Sequence, residues 1–129
     1  MRRAYKTQDG CPVARTLDII GDRWTMLILR DLFRGCSKFS NFLQSLEGIS
    51  PNLLADRLKR LEERGIVKRV FYSDHPPRAE YQLTEKGRAL GPVLLAIGDW
   101  GFEYELNEEQ KADPALIDAM ARTRAATSA

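Results

Sequence analysis

Two groups of side chains have the types and spacing to do chemistry. The larger is Ser50, Asn52, Asp56, Arg57, Lys59 and Arg60, crowded into one short stretch. Together they offer the donors and acceptors that read base edges and the cations that neutralise phosphate. Lys38 upstream, and Lys68, Arg69 and Arg78 downstream, extend the same chemistry. A merely solvated basic face is the plainer reading of the same residues. The second group is a single thiol, Cys11, placed before Pro12 at the start of an apolar helical pattern with Arg15 one turn on. Free N–H groups and the positive end of the helix dipole would favour a thiolate there. Burial among apolar neighbours would silence it, so a reactive thiol and a small structural hydrophobe both stay open.

Other chemistry has little to stand on. There is no glycine-rich phosphate loop, and the lone His75 lies in a Pro-flanked turn with no evident nucleophile near it in sequence. Cys11 and Cys36, 25 positions apart with no Cys-x-x-Cys, make neither a disulfide framework nor a zinc site. No metal or cofactor is expected, and the only enzymatic option left is a thiol activity at Cys11.

The elements that must position the first group are spelled out locally. Ser50 suits an N-cap, Pro51 the first helical position and Gly65 the left-handed residue that ends a helix. Between them Leu54, Leu58 and Leu61 form a stripe that must be buried, leaving the polar residues on the other faces. Upstream, Ser37 is expected to cap a short helix with Phe39, Phe42, Leu43 and Leu46 on one side, and Glu47-Gly48-Ile49 makes a tight connection. The pattern predicts a helix-turn-helix. Residues 66–72 read as a strand, 73–77 as a turn and 78–83 as the returning strand, giving a basic wing. Alternation puts Lys68 and Arg69 on opposite faces, so only one can point at a nucleic-acid backbone.

Flanking helices complete the expectation. Val13, Leu17 and Ile20 follow Pro12 in a first helix ended by Gly21; Asp22 is placed to cap a second, apolar one anchored by Trp24. Thr84 is expected to cap one long helix through Leu90, Val93, Leu94, Ile97, Trp100, Gly101 and Tyr104. Its apolar positions occupy more than one stripe, and Gly87, Gly91, Gly98 and Gly101 weaken it by roughly 1 kcal/mol each, a cost that a closely approaching second helix would explain. The predicted dimer seam is therefore Val13, Leu17, Leu94, Ile97, Trp100, Gly101 and Tyr104. A merely buried helix is the alternative. Pro114 starts a short last helix with Leu116, Ile117 and Met120 along one side, fraying beyond Arg124. The expected division is a flexible basic arm over 1–10, a winged domain with its dimerisation helices over 11–112, and the short helix and tail over 113–129.

Composition fits one domain. A chain of 129 residues with 43% hydrophobic content supports a single core. The net charge of +2 hides an asymmetry: residues 1–90 hold 17 Lys+Arg against 11 Asp+Glu, residues 91–129 hold 3 against 7. Steering toward phosphate requires the basic part to be the one that binds. No signal peptide or membrane span is visible, so the expected location is the cytoplasm, away from membranes.

Seven short segments in order resemble the HxlR family of bacterial transcription regulators: Cys11-Pro12-Val13; Ile20 to Trp24; Ile28 to Leu32; Gly48-Ile49-Ser50; Leu61 to Gly65; Pro76 to Tyr81; and Leu83 to Gly87. The resemblance covers Cys11 to about Tyr104, with two departures. Arg23 stands where lysine is commoner, and Cys36 occupies a turn where no cysteine is expected. It implies a mainly helical fold with a small hairpin wing, a winged helix-turn-helix of the MarR-like type that dimerises through its N- and C-terminal helices on operator DNA. It also implies a redox or electrophile sensor at Cys11, with a small oxidant or electrophile as effector. The resulting expectation is a sequence-specific regulator, a repressor, on a pseudo-palindromic duplex. Asn52 and Arg57 would read bases, Lys38 would bind phosphate and Arg78 would enter a minor groove. A thiol-dependent enzyme and a winged helix used only for protein contact are the competing classes.

Overall fold

A computed structural model describes residues 9–74 and 77–128. The expected basic arm therefore lies almost wholly outside the described residues, as do His75 and Pro76 of the wing turn. The chain runs α1 (Pro12–Ile20), α2 (Thr25–Phe33), α3 (Phe39–Ser45), α4 (Pro51–Glu63), β1 (Val67–Asp74), β2 (Pro77–Leu83), α5 (Glu85–Arg88), α6 (Gly91–Glu105), α7 (Glu108–Lys111) and α8 (Pro114–Thr127). The expected class, mainly helical with a hairpin wing, is what forms.

The core is built on α2, whose Ile28 and Leu29 are fully buried. Phe42 from α3, Leu54, Leu58 and Leu61 from α4, and Ile66, Val67 and Leu83 at the base of the hairpin pack into the same cluster. The leucine stripe of α4 is thus buried as its spacing requires. Ser50 caps α4, its Oγ accepting the Leu53 N–H at 3.1 Å. Gly48 and Gly65 take positive φ, 94° and 73°, at the two turns that bring α3, α4 and β1 together. The strands are antiparallel, Val67 opposite Leu83 and Arg69 opposite Tyr81, with an irregularity between Phe71 and Ser73. Tyr81 N–H also donates to the Ser37 carbonyl at 2.7 Å, stitching the hairpin to the start of α3.

Three local expectations need correction. Ser37 does not cap α3; Lys38 is the N-cap residue, and the Asn41 side chain accepts its N–H at 3.1 Å. The helix from Thr84 is not continuous. Thr84 does cap, its Oγ1 accepting the Gly87 N–H at 3.0 Å, but it caps only α5. Pro92 lacks the N–H that would bond back to Arg88, so the helix restarts at Gly91 with Leu90 as its cap. Nor does Gly87 serve a partner: a Cβ there would sit 2.1 Å from the Ile66 carbonyl of the same chain, whereas one at Gly98 or Gly101 would meet nothing within 4 Å.

The last helix is also longer than expected, extending to Thr127, with Ala126 packed against the core. Leu94 leaves the proposed partner face altogether. It is 9% exposed in the chain's own core, because it lies on the side of α6 that packs against α2 and α8. No helix of the described residues is long and apolar enough to cross a membrane.

Candidate nucleic-acid interface

Helix α4 turns about 100° per residue, so its buried leucines define an opposite, outward side. On that side Asn52, Ala55, Asp56, Lys59 and Glu63 are exposed, and Ser50 is exposed at its N-terminal end. Ala55 and Glu63 were missing from the sequence-based set. Their signal was spacing alone, since they fall at i+3 and i+11 from Asn52.

Arg57 stands elsewhere. It flanks the leucine stripe with only 19% of its side chain exposed, its Nε 3.4 Å from Asp22 Oδ1 and its Nη1 paired with Asp56. That Nε is buried without a hydrogen-bond partner, so the Asp22 contact is ionic rather than a formed hydrogen bond. Asp22 also accepts the N–H groups of Trp24 (2.9 Å) and Thr25 (3.0 Å) and the Thr25 hydroxyl. Burial by itself would raise its pKa; the Thr25 hydroxyl, the two backbone donors and Arg57 outweigh that and hold the carboxyl below its ordinary range. Arg57 thus fastens α4 to the start of α2 and does not project from its outward side, as the expected base-reading role requires. Arg60 is half-buried beside it, lining a narrow recess with Ile19, Thr25 and Arg64.

Cations surround the outward side of α4. Lys38 is exposed at the start of α3 with its Nζ 5.4 Å from the Tyr72 ring centre, so this helix end and the wing meet. Tyr72 is half-exposed and was not anticipated. Of the two adjacent wing cations, Arg69 shares the α4 side with Val67 and Tyr81 and pairs with Glu62 at 3.0 Å. Lys68 faces the other way and is exposed. Arg78, opposite Ser73 near the tip, is exposed as well.

The thiols differ in setting. Cys11 is the half-buried N-cap residue of α1, its carbonyl accepting the Arg15 N–H at 3.0 Å. The Arg15 guanidinium reaches the Asp9 carbonyl at 3.5 Å. Cys36 packs partly against the core, and burial, then the Asp31 carboxylate, push its pKa up. The remaining residues expected at a dimer seam form an uncovered apolar surface in the single chain. Val13 is 67% exposed, Trp100 59% and Tyr104 70%, and Leu17, Val93 and Ile97 are exposed as well.

Residues 19–110 match the HxlR-like helix-turn-helix family. The chain belongs to that family. The relative YdeP of Bacillus subtilis, an uncharacterised HTH-type transcriptional regulator, is 42% identical over 103 residues that span 78% of this chain and 80% of YdeP. The crystal structure of PA1607 is similar at 47% identity and a TM-score of 0.72, over 79% of this chain and 70% of that one. The redox regulator HypR in its reduced form is similar at 37% identity and a TM-score of 0.69, over 73% of this chain and 93% of HypR. As an HxlR-family protein with a winged helix-turn-helix, this chain is a transcriptional regulator of the HTH type.

Proposed function

We propose that this HxlR-family chain is a repressor that binds a pseudo-palindromic operator as a homodimer. The outward side of α4 enters the major groove, with Ser50, Asn52, Asp56 and Lys59 at base edges and the groove walls. Lys38 and Lys68 hold phosphates, Arg69 and Arg60 add to the local positive field, and Arg78 reaches a minor groove. The observation that carries this reading is the exposed polar side of α4 flanked by Lys38 and the wing cations. The uncovered stripe of Val93, Ile97, Trp100 and Tyr104, with Gly101 beside it and Val13 and Leu17 from α1, is the surface for the second copy. These four recur at i, i+4, i+7 and i+11, on a side of α6 about a quarter-turn from Leu94. Trp100 and Tyr104 already meet in a tilted ring pair, centroids 5.5 Å apart, and make natural anchors.

The test is operator binding by mobility shift across a salt series, alongside sedimentation of the free protein. A dimer is expected, with half-sites about one helical turn apart and affinity falling steeply with salt. Trp100→Glu should give monomers and lose the palindrome. Salt-independent binding, or a monomeric wild type that binds a full palindrome tightly, would overturn the reading.

Cys11 is proposed as the sensing thiol, alkylated or oxidised by a small electrophile or oxidant. Its position at the N-terminus of α1, next to the surface assigned to the second copy, supports this, and the similar protein HypR is a redox regulator. Operator binding after diamide or methylglyoxal should fall for wild type and for Cys36→Ser, and hold for Cys11→Ser. If Cys11→Ser responds as wild type does, Cys11 is structural.

A further inference from the structure

Helix α6 has a second side, turned away from the uncovered stripe, where Leu94, Leu95 and Gly98 face α2 and α8. There the three helices border an open-sided recess whose empty space, the open mouth included, is about 370 Å³, with Met120 and Thr123 from α8, Arg30 from α2 and Arg34 just after it. Its walls are mainly aliphatic, yet arginines reach it from two helices. Most have carboxylate partners: Arg30 meets Asp31 at 3.1 Å, Arg124 meets Asp99 at 2.7 Å and the neighbouring Arg122 meets Asp118 at 3.2 Å.

Arg34 does not. Among the described residues its one side-chain hydrogen bond is to the neutral Thr123 hydroxyl, Nε donating to Oγ1 at 2.8 Å, while the Thr123 hydroxyl donates to the Ala119 carbonyl at 2.9 Å. The two Nη groups of Arg34 have no protein acceptor among the described residues. Partial burial, then Arg30, bring the Arg34 pKa below its ordinary value, against an opposing pull from the Asp31 carboxylate.

We propose that this recess is a binding site for a small monocarboxylate with an apolar body. The carboxylate pairs with the two free Nη groups of Arg34 in the fork geometry that guanidinium favours, and the body lies against Leu94, Leu95 and Met120. Asp31 and Asp99 nearby disfavour a dianion, and inorganic phosphate has nothing to place against the aliphatic wall.

The test is calorimetric titration of the full-length protein without DNA, so that its failure and the failure of the operator reading are separable. Hexanoate and benzoate are compared with hexanamide, benzamide and inorganic phosphate. At least one carboxylate should bind saturably at one site per chain, about tenfold or more tighter than its amide, the value of roughly one charge-assisted pairing. Arg34→Gln should weaken it by at least about the same factor. Gly98→Leu fills the recess without disturbing Arg34 and should abolish binding, so the proposal is still tested if Arg34→Gln folds poorly. Absence of saturable binding by both carboxylates, equal binding of the amides or of phosphate, or undiminished binding by the Gly98 variant would each overturn the proposal.

Discussion

Replacing Ala55 by glutamate should cost about two orders of magnitude in operator affinity, roughly 2.7 kcal/mol, while leaving folding stability within about 0.5 kcal/mol. Ala55 is exposed on the flank of the outward side of α4, between Asn52 and Lys59 along the helix. The new side chain would be well tolerated by the helix, but it would set a carboxylate on one extra methylene, four added heavy atoms in all, where bases and phosphates must approach. Arg57→Ala should behave in the opposite way. Its guanidinium is held by Asp22 and Asp56, so its loss should lower stability by about 1 kcal/mol and leave operator preference nearly unchanged. Parallel mobility shifts and urea melts separate the two. Full affinity in the Ala55 variant would remove α4 as the reading helix, and relaxed sequence preference in the Arg57 variant would show that the arginine swings out to the bases.

Phe42→Ala should destabilise the fold by about 3 to 5 kcal/mol, a large share of the roughly 5 to 15 kcal/mol that holds a domain of this size together. Phe42 is completely buried and meets the Tyr81 ring edge-on at 6.4 Å. It belongs to the cluster that joins α3 to α4 and to the base of the hairpin, so the cavity left behind opens at the junction of all three. DNA binding should fail at temperatures where wild type is fully folded. Urea unfolding gives the stability change directly; a loss below about 1 kcal/mol would mean that α3 collapses onto the gap and that the junction is softer than its packing implies.

Much of the frame was legible because it is written over short spans. Ser50, Pro51 and Gly65 delimit α4 by the hydrogen-bonding and φ demands of helix ends, and Leu54, Leu58 and Leu61 fix which side is buried. The wing followed from its β-branched and aromatic run. The break before Gly91 was also present locally, in Pro92, but the apolar periodicity running across it pointed to one helix. Ordered motifs carried the family reading, and the match over residues 19–110 agrees with it.

What the sequence alone determined was therefore the limits of α4 and the buried sides of α3 and α4, since residues three or four apart in a helix share a face whatever else the chain does. Only the tertiary structure decided which partners meet across elements. Arg57 lies on the edge of its helix, where local spacing allows it either to reach outward or to fold back, and the packing of α4 on the start of α2 brings Asp22 close enough to draw it inward. Arg69 is directed to Glu62 by the register of the hairpin against α4, and Leu94 is taken from the partner surface by α2 and α8. Arg34 finds Thr123 across 89 positions of sequence. A charge several turns or several helices away is invisible to periodicity, because its distance is set by how helices stack and not by how they are spelled.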